Sequence, residues 1–205
     1  MLILNLFSAG RARETIPIFP LGTVLFPGAL LPLRIFEVRY MDMAKACLRD
    51  KSPFGVCLIR EGEEVGTPAV PEGIGCLATI AECDMEEIGI LKVVAKGGER
   101  FRILSTDVAR DGLVMAQTEP LAPETGKDDA PGFADCRELL AKMIVGIGRE
   151  RFAEPFTFDD PSWVGFRLAE ILPLRKDVKQ KLLEVTDAGL RLAVLHKFLK
   201  QQRLL

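Results

Sequence analysis

The feature that most constrains this chain is a change of hydrophobic period. Up to residue 119 the apolar residues come in short runs, and from residue 132 they recur at steps of three and four. The first pattern belongs to strands, whose successive side chains face opposite ways; the second belongs to helices, where residues three and four apart share a face. Between them, Glu119 to Gly132 carries three prolines and no apolar repeat, as a linker does. The reading is α+β: a β-barrel over residues 1–122, a linker over 123–132 and an α-helical bundle over 133–205.

Within the first part the expected strands are Ile16–Pro20, Leu30–Phe36, Phe54–Arg60, Gly75–Cys83, Ile88–Lys96, Arg102–Val108 and Leu113–Thr118, each bounded by Gly, Pro, Asp or Glu. Regular turn spacing of this kind argues for an antiparallel barrel or sandwich. One helix interrupts the series, Val38–Arg49, with Met41, Ala44 and Leu48 expected on its packed face. Phe26-Pro27-Gly28-Ala29 suits a type II turn, because Pro presets φ at the second position and Gly accepts a positive φ at the third. Residues 60–73 form a long acidic loop rich in Gly and Pro, read as an exposed excursion.

The helical part opens with a stripe of Cys136, Leu139, Leu140, Met143, Ile144 and Ile147, expected on a helix from Ala134 to Gly148. A second helix is expected from an N-cap at Ser162 to Leu172, stopped by Pro173. Two more follow: Arg175–Val185, and a helix capped by Asp187 with Leu190, Val194 and Phe198 on one side. Short connections between such helices imply an antiparallel bundle.

Composition narrows the function. The 205 residues are 48% hydrophobic with a formal net charge of −2, so nothing demands nucleic acid or an anionic membrane as partner. Five cysteines without a Cys-x-x-Cys pair, and His196 as the only histidine, do not form a zinc set, and buried reduced thiols are expected. The apolar start Met1 to Phe7 has no preceding basic residue, and no run reaches membrane-span length, so the expected compartment is the cytoplasm.

Several signatures then occur in order: Phe26-Pro27-Gly28; Pro32-Leu33-Arg34-Ile35-Phe36-Glu37-Val38-Arg39-Tyr40; the glycine-led Gly73 to Ile80; and Gly98-Glu99-Arg100-Phe101-Arg102-Ile103. With Trp163-Val164 through Leu174 and Lys179 to Glu184, they resemble the N-terminal, substrate-binding domain of Lon proteases from about Ile16 to Leu199. The resemblance implies a barrel of the pseudouridine-synthase-associated (PUA-like) type plus helices, without ATPase or peptidase parts, that holds protein or peptide segments. The signature residues that could meet a peptide are Arg34, Phe36, Tyr40, Arg100, Phe101 and Trp163.

Each has a plainer reading beside it. Arg34 and Phe36 share a strand face and either clamp a peptide or cover the barrel. Phe101 follows a Gly-Gly bend and could be the core residue of a β-bulge. Trp163 could anchor bundle to barrel. Glu37 can pair with Arg39 or Arg34.

No catalytic residue, metal site or cofactor is assigned. Gly126-Lys127-Asp128 lacks the upstream glycine and the hydroxyl of a phosphate loop, and Ser8, Ser52, Ser105 and Ser162 stand in no nucleophile motif. The leading reading is a non-catalytic protein-binding module for exposed apolar or unfolded segments, serving as an adaptor for proteolysis. One alternative is RNA binding, from eight Lys or Arg against three Asp or Glu in residues 175–205, but so modest an excess disfavours nucleic acid. Another is an enzyme using Asp84, Glu86 and Glu87. Nothing in the sequence specifies an oligomeric state.

Overall fold

The computed structural model describes residues 13–87, 89–122, 124 and 131–205, with the side chains of Glu86 and Glu87 excepted. The apolar start, Gly126-Lys127 and most of the expected linker lie outside the described residues.

Among those residues, seven strands and five α-helices follow one another: β1 Glu14–Leu21, β2 Leu30–Ile35, α1 Val38–Asp50, β3 Phe54–Glu61, β4 Val70–Pro71, β5 Ile74–Glu87, β6 Ile90–Val108, β7 Val114–Pro120, α2 Phe133–Ile147, α3 Pro161–Ile171, α4 Lys176–Glu184 and α5 Ala188–Gln201. Strands β1, β7, β6, β5 and β3 hydrogen-bond in that order, and β1 then pairs with β3 to close the ring. Every pairing is antiparallel except this closing one, where Ile18 lies beside Gly55 in a parallel register. Closure removes the open edges of the five ring strands where they pair. Strand β2 pairs outside the ring, with the first part of β6.

The turn at Phe26 forms as its residues dictate: Ala29 N donates to Phe26 O at 3.0 Å, and Gly28 has φ +74°. It lies on Gly97, where any Cβ would come within 2.2 Å of Phe26 O. This explains a departure from the sequence reading. Gly97-Gly98 was expected to separate two strands, but β6 runs through it as one, because the glycine is there to admit the turn. The ladder still slips there: between the pairs Cys76–Arg100 and Ala78–Gly97, β6 has Gly98 and Glu99 against Leu77 alone of β5, a bulge at the Gly-Gly bend with Phe101 in the core beyond it.

Two helix faces also differ from expectation. In α1 the buried set is Arg39, Tyr40, Met43, Ala44 and Cys47, so of the expected face Ala44 is buried and Met41 packs against the core, while Leu48 is exposed. In α5 the buried set is Ala188, Arg191, Leu192, Leu195 and Leu199; of the expected face Phe198 packs against the core, while Leu190 and Val194 face outward. Asp187 does cap α5, accepting from Leu190 N at 2.9 Å. Asp160, not Ser162, caps α3: its carboxylate accepts from Ser162 N, and Pro161 occupies the first helical position.

A single buried cluster runs from the barrel, through Phe26, Phe54 and Val93, into the bundle, through Leu140, Leu168 and Leu195. A smaller one, Ile16, Ile18, Cys57, Phe101, Val114 and Ala116, fills the barrel on its other side. Each fully buried Leu or Phe contributes about 1.5–3 kcal/mol.

Candidate peptide-binding groove

A groove of about 270 Å³ opens beside β2, with Phe19, Leu21, Leu31, Leu33, Ile35 and Tyr40 among the residues that line it. The alternation of β2 builds one wall. Ile35 is buried, Leu31 and Leu33 are half-buried, and Pro32 and Arg34 point outward. Beneath, the Phe19 and Tyr40 rings stack at 4.1 Å. Burial raises the Tyr40 hydroxyl above its ordinary pKa, against a smaller lowering by Arg39. Phe36 stands at the rim, 53% exposed.

The opposite wall comes from the acidic loop. The loop is exposed over residues 61–68, as expected, and is also tied to its surroundings: Gly22 N donates to Glu64 Oε1, and Gly66 N donates to Glu37 Oε2 at 3.4 Å. These ties set Glu64 and Val65 into the groove wall, with Val65 exposed. Glu37 is held in turn by Arg39, whose Nη2 lies 2.9 Å from it and whose Nη1 donates to Gly112 O.

The six expected peptide contacts divide evenly. Arg34, Phe36 and Tyr40 line this groove, although Tyr40 is buried as its floor. Arg100, Phe101 and Trp163 lie elsewhere and are engaged internally. Arg100 donates to Leu183 O and Val185 O at 2.6 Å each, lies 2.7 Å from Glu124 Oε1, and has its pKa lowered chiefly by burial. Phe101 is buried in the smaller core. Trp163 packs edge-on against Phe156 and Phe158 at 6.0 and 5.1 Å, rings of the loop before α3, so its ring partners belong to the bundle and not to the barrel.

Buried polar side chains bridge the seam between barrel and bundle. Glu124 accepts from Arg191 Nη1 at 2.8 Å and from Ser162 Oγ at 2.6 Å, and Arg191 Nη2 reaches its other oxygen. The Arg191 guanidinium also lies over Phe166 at 3.8 Å. Arg167 Nη2 donates to Pro27 O at 2.7 Å, and Gln180 Nε2 to Ile74 O at 3.0 Å. Arg191 is 0% exposed and Lys179 donates to Glu170 O, so the basic excess of residues 175–205 is smaller at the surface than in sequence.

For chemistry the described residues offer little arrangement. Four of the five cysteines are buried and only Cys83 is exposed. Burial pushes the Cys76 thiol up to about 12 and that of Cys136 to about 11, which keeps both protonated and weakly nucleophilic at neutral pH. His196 pairs with Asp135 at 2.9 Å. Asp84 is exposed and accepts from Met85 N. Among the described residues no group of three or more His, Cys, Asp or Glu could hold a metal ion, and no helix is long and apolar enough to cross a membrane.

Sequence reasoning missed Phe19, Leu21, Leu31 and Val65. Only Val65 carried a local signal, as a bulky apolar residue inside an acidic loop; the others meet through the fold.

Known proteins resemble the chain over nearly all its described length. The family described as the ATP-dependent protease La (LON) substrate-binding domain matches residues 15–201. The Lon protease of Desulfosudis oleivorans is 24% identical over 94% of this chain, and that of Xanthomonas oryzae pv. oryzae is 26% identical over 88%. The matches span 24% and 22% of those relatives, so the chain corresponds to about a quarter of their length. Among solved structures, a Lon N-terminal domain protein from Xanthomonas campestris superposes with a TM-score of 0.74 at 34% identity, over 89% of this chain and 96% of that one. The N-terminal domain of Mycobacterium avium complex Lon protease shares the fold, with a TM-score of 0.66 at 19% identity over 89% of this chain and 96% of that one.

Proposed function

The chain belongs to the LON substrate-binding domain family, and from that premise we propose that it is a non-catalytic module that holds exposed apolar segments of other polypeptides in the groove beside β2. The observation that carries this is the groove itself: an apolar lining of Phe19, Leu31 and Leu33 with an exposed aromatic rim residue, Phe36. An exposed aromatic above an apolar cleft is the kind of anchor that dominates polypeptide recognition. The partners are then protein segments, delivered in the cytoplasm to a separate protease for which the chain serves as adaptor.

Fluorescence polarisation of a labelled apolar peptide tests this. Binding should saturate, and Phe36→Ser should weaken it about tenfold, ~1.4 kcal/mol. Equal binding by the wild type and by Phe36→Ser with Val65→Ser would remove the groove from the account. Incubation with labelled casein should release no fragments, and release abolished by a point mutation would overturn the non-catalytic assignment.

A further inference from the structure

The groove touches β2 in a particular way. Every residue from Leu31 to Glu37 lines it. Successive side chains of a strand point to opposite faces, so a cleft reached by all of them runs along the strand's edge. Among the described residues β2 pairs with β6 alone, so this edge has no partner strand.

The parity of the ladder shows what the edge offers. Gly97 N donates to Ala29 O at 2.9 Å, and the register continues Leu30 with Lys96 and Leu31 with Ala95. Bonded positions alternate in an antiparallel pair. Leu31, Leu33 and Ile35 therefore turn their backbone groups to β6, while Leu30 and Pro32 turn theirs to the unpaired edge, where Pro32 lines the groove. Pro32 fits this place, having no N–H to give to a ladder. It leaves the middle of the edge with a carbonyl acceptor and no donor.

The opposite wall carries Glu64, and the three residues before it in the chain include Glu61 and Glu63. Glu61 pairs with the exposed Arg60 at 3.4 Å, and Glu63 makes no ion pair among the described residues. Such a wall attracts a basic group and repels an acidic one, to a degree that salt screens.

We propose that the groove takes its polypeptide as an added β-strand along β2, and that this strand is apolar with a Lys or Arg at the end lying against Glu61–Val65. This rests on the groove reading above. An added strand must give N–H groups to the carbonyls of Leu30 and Pro32, two residues apart, while its own carbonyl opposite Pro32 receives nothing.

The test is a backbone N-methyl scan of a labelled eight-residue apolar peptide with a terminal lysine, read by polarisation. Methylation at alternate positions should weaken binding about three- to tenfold, with little change at the positions between. Pro32→Ala restores the missing donor and should tighten binding about two- to tenfold. Replacing the peptide's lysine by glutamate should weaken it severalfold at low salt, a difference that closes at about 0.5 M salt. Position-independent methylation effects on a peptide still sensitive to Phe36→Ser would overturn strand addition and leave the groove reading standing. Equal affinity for lysine and glutamate peptides at low salt would overturn the basic assignment. No binding of any of these peptides, an uncharged one included, would overturn both.

Discussion

Arginine and phenylalanine occur together twice in this barrel, as Arg34 with Phe36 and as Arg100 with Phe101, and the fold puts the two sets to opposite uses. The first stands outward on β2, with Phe36 half exposed above a groove. The second is buried, Arg100 against the carbonyls of Leu183 and Val185 and Phe101 in the smaller core. The difference lies in what each meets. A guanidinium can be buried only where carboxylates and carbonyls surround it. Glu124, Leu183 and Val185 supply that surrounding at the seam. Arg34, on β2, is exposed.

The contrast makes sharp claims about substitution. At the seam, Glu124→Gln leaves Arg100 and Arg191 buried without their carboxylate and should destabilise the chain by about 3–5 kcal/mol in urea unfolding, with peptide binding by the folded fraction unchanged. A smaller loss would mean that water reaches the seam.

Next, Gly97→Ala drives a Cβ into Phe26 O and should cost about 1–3 kcal/mol. An unchanged unfolding midpoint would mean that the Phe26 turn can lift off β6.

At the groove the order reverses. Phe36→Ser should alter stability by no more than about 0.5 kcal/mol while carrying the tenfold binding loss given above. A large stability loss would make Phe36 a cover for the barrel and erase the contrast.

The smallest effect concerns pH. Burial raises the Glu170 carboxyl above its ordinary range, with Arg167 and Lys179 opposing. The folded chain then holds a proton there more tightly than the unfolded chain does. The stability from this group is present below the ordinary glutamate value of about 4.3 and is lost as pH rises through the raised value. The urea midpoint of Glu170→Gln should accordingly fall less over that rise than that of the wild type; parallel curves would show that Arg167 and Lys179 cancel the burial.

Much of the fold was legible because its determinants are local. The type II turn follows from Phe26-Pro27-Gly28-Ala29, the cap from Asp187, and the change from strands to helices from the change of period. The failures share a different cause. Gly97-Gly98 read as a break because the reason for the glycine, contact with Phe26 O, lies far away in sequence. The packed face of α1, expected at Met41, Ala44 and Leu48, keeps Met41 and Ala44 but not Leu48, and Tyr40 is drawn inward to Phe19 of another strand. The groove was half legible: Arg34 and Phe36 alternate outward as strand periodicity requires, but Phe19 and Leu21 join them only through barrel closure. Arg100 looked like a contact because nothing nearby announces that Glu124 and the carbonyls of Leu183 and Val185 will enclose it, whereas Phe101 took the core place that its plainer reading gave it.

The most direct test of this contrast is a map of backbone amide chemical shifts while an apolar peptide is titrated into the labelled protein. Shifts should concentrate in residues 31–37 and at Glu64 and Val65, with Arg100, Phe101 and Val185 unmoved. Shifts centred on the seam, with residues 31–37 silent, would contradict that contrast.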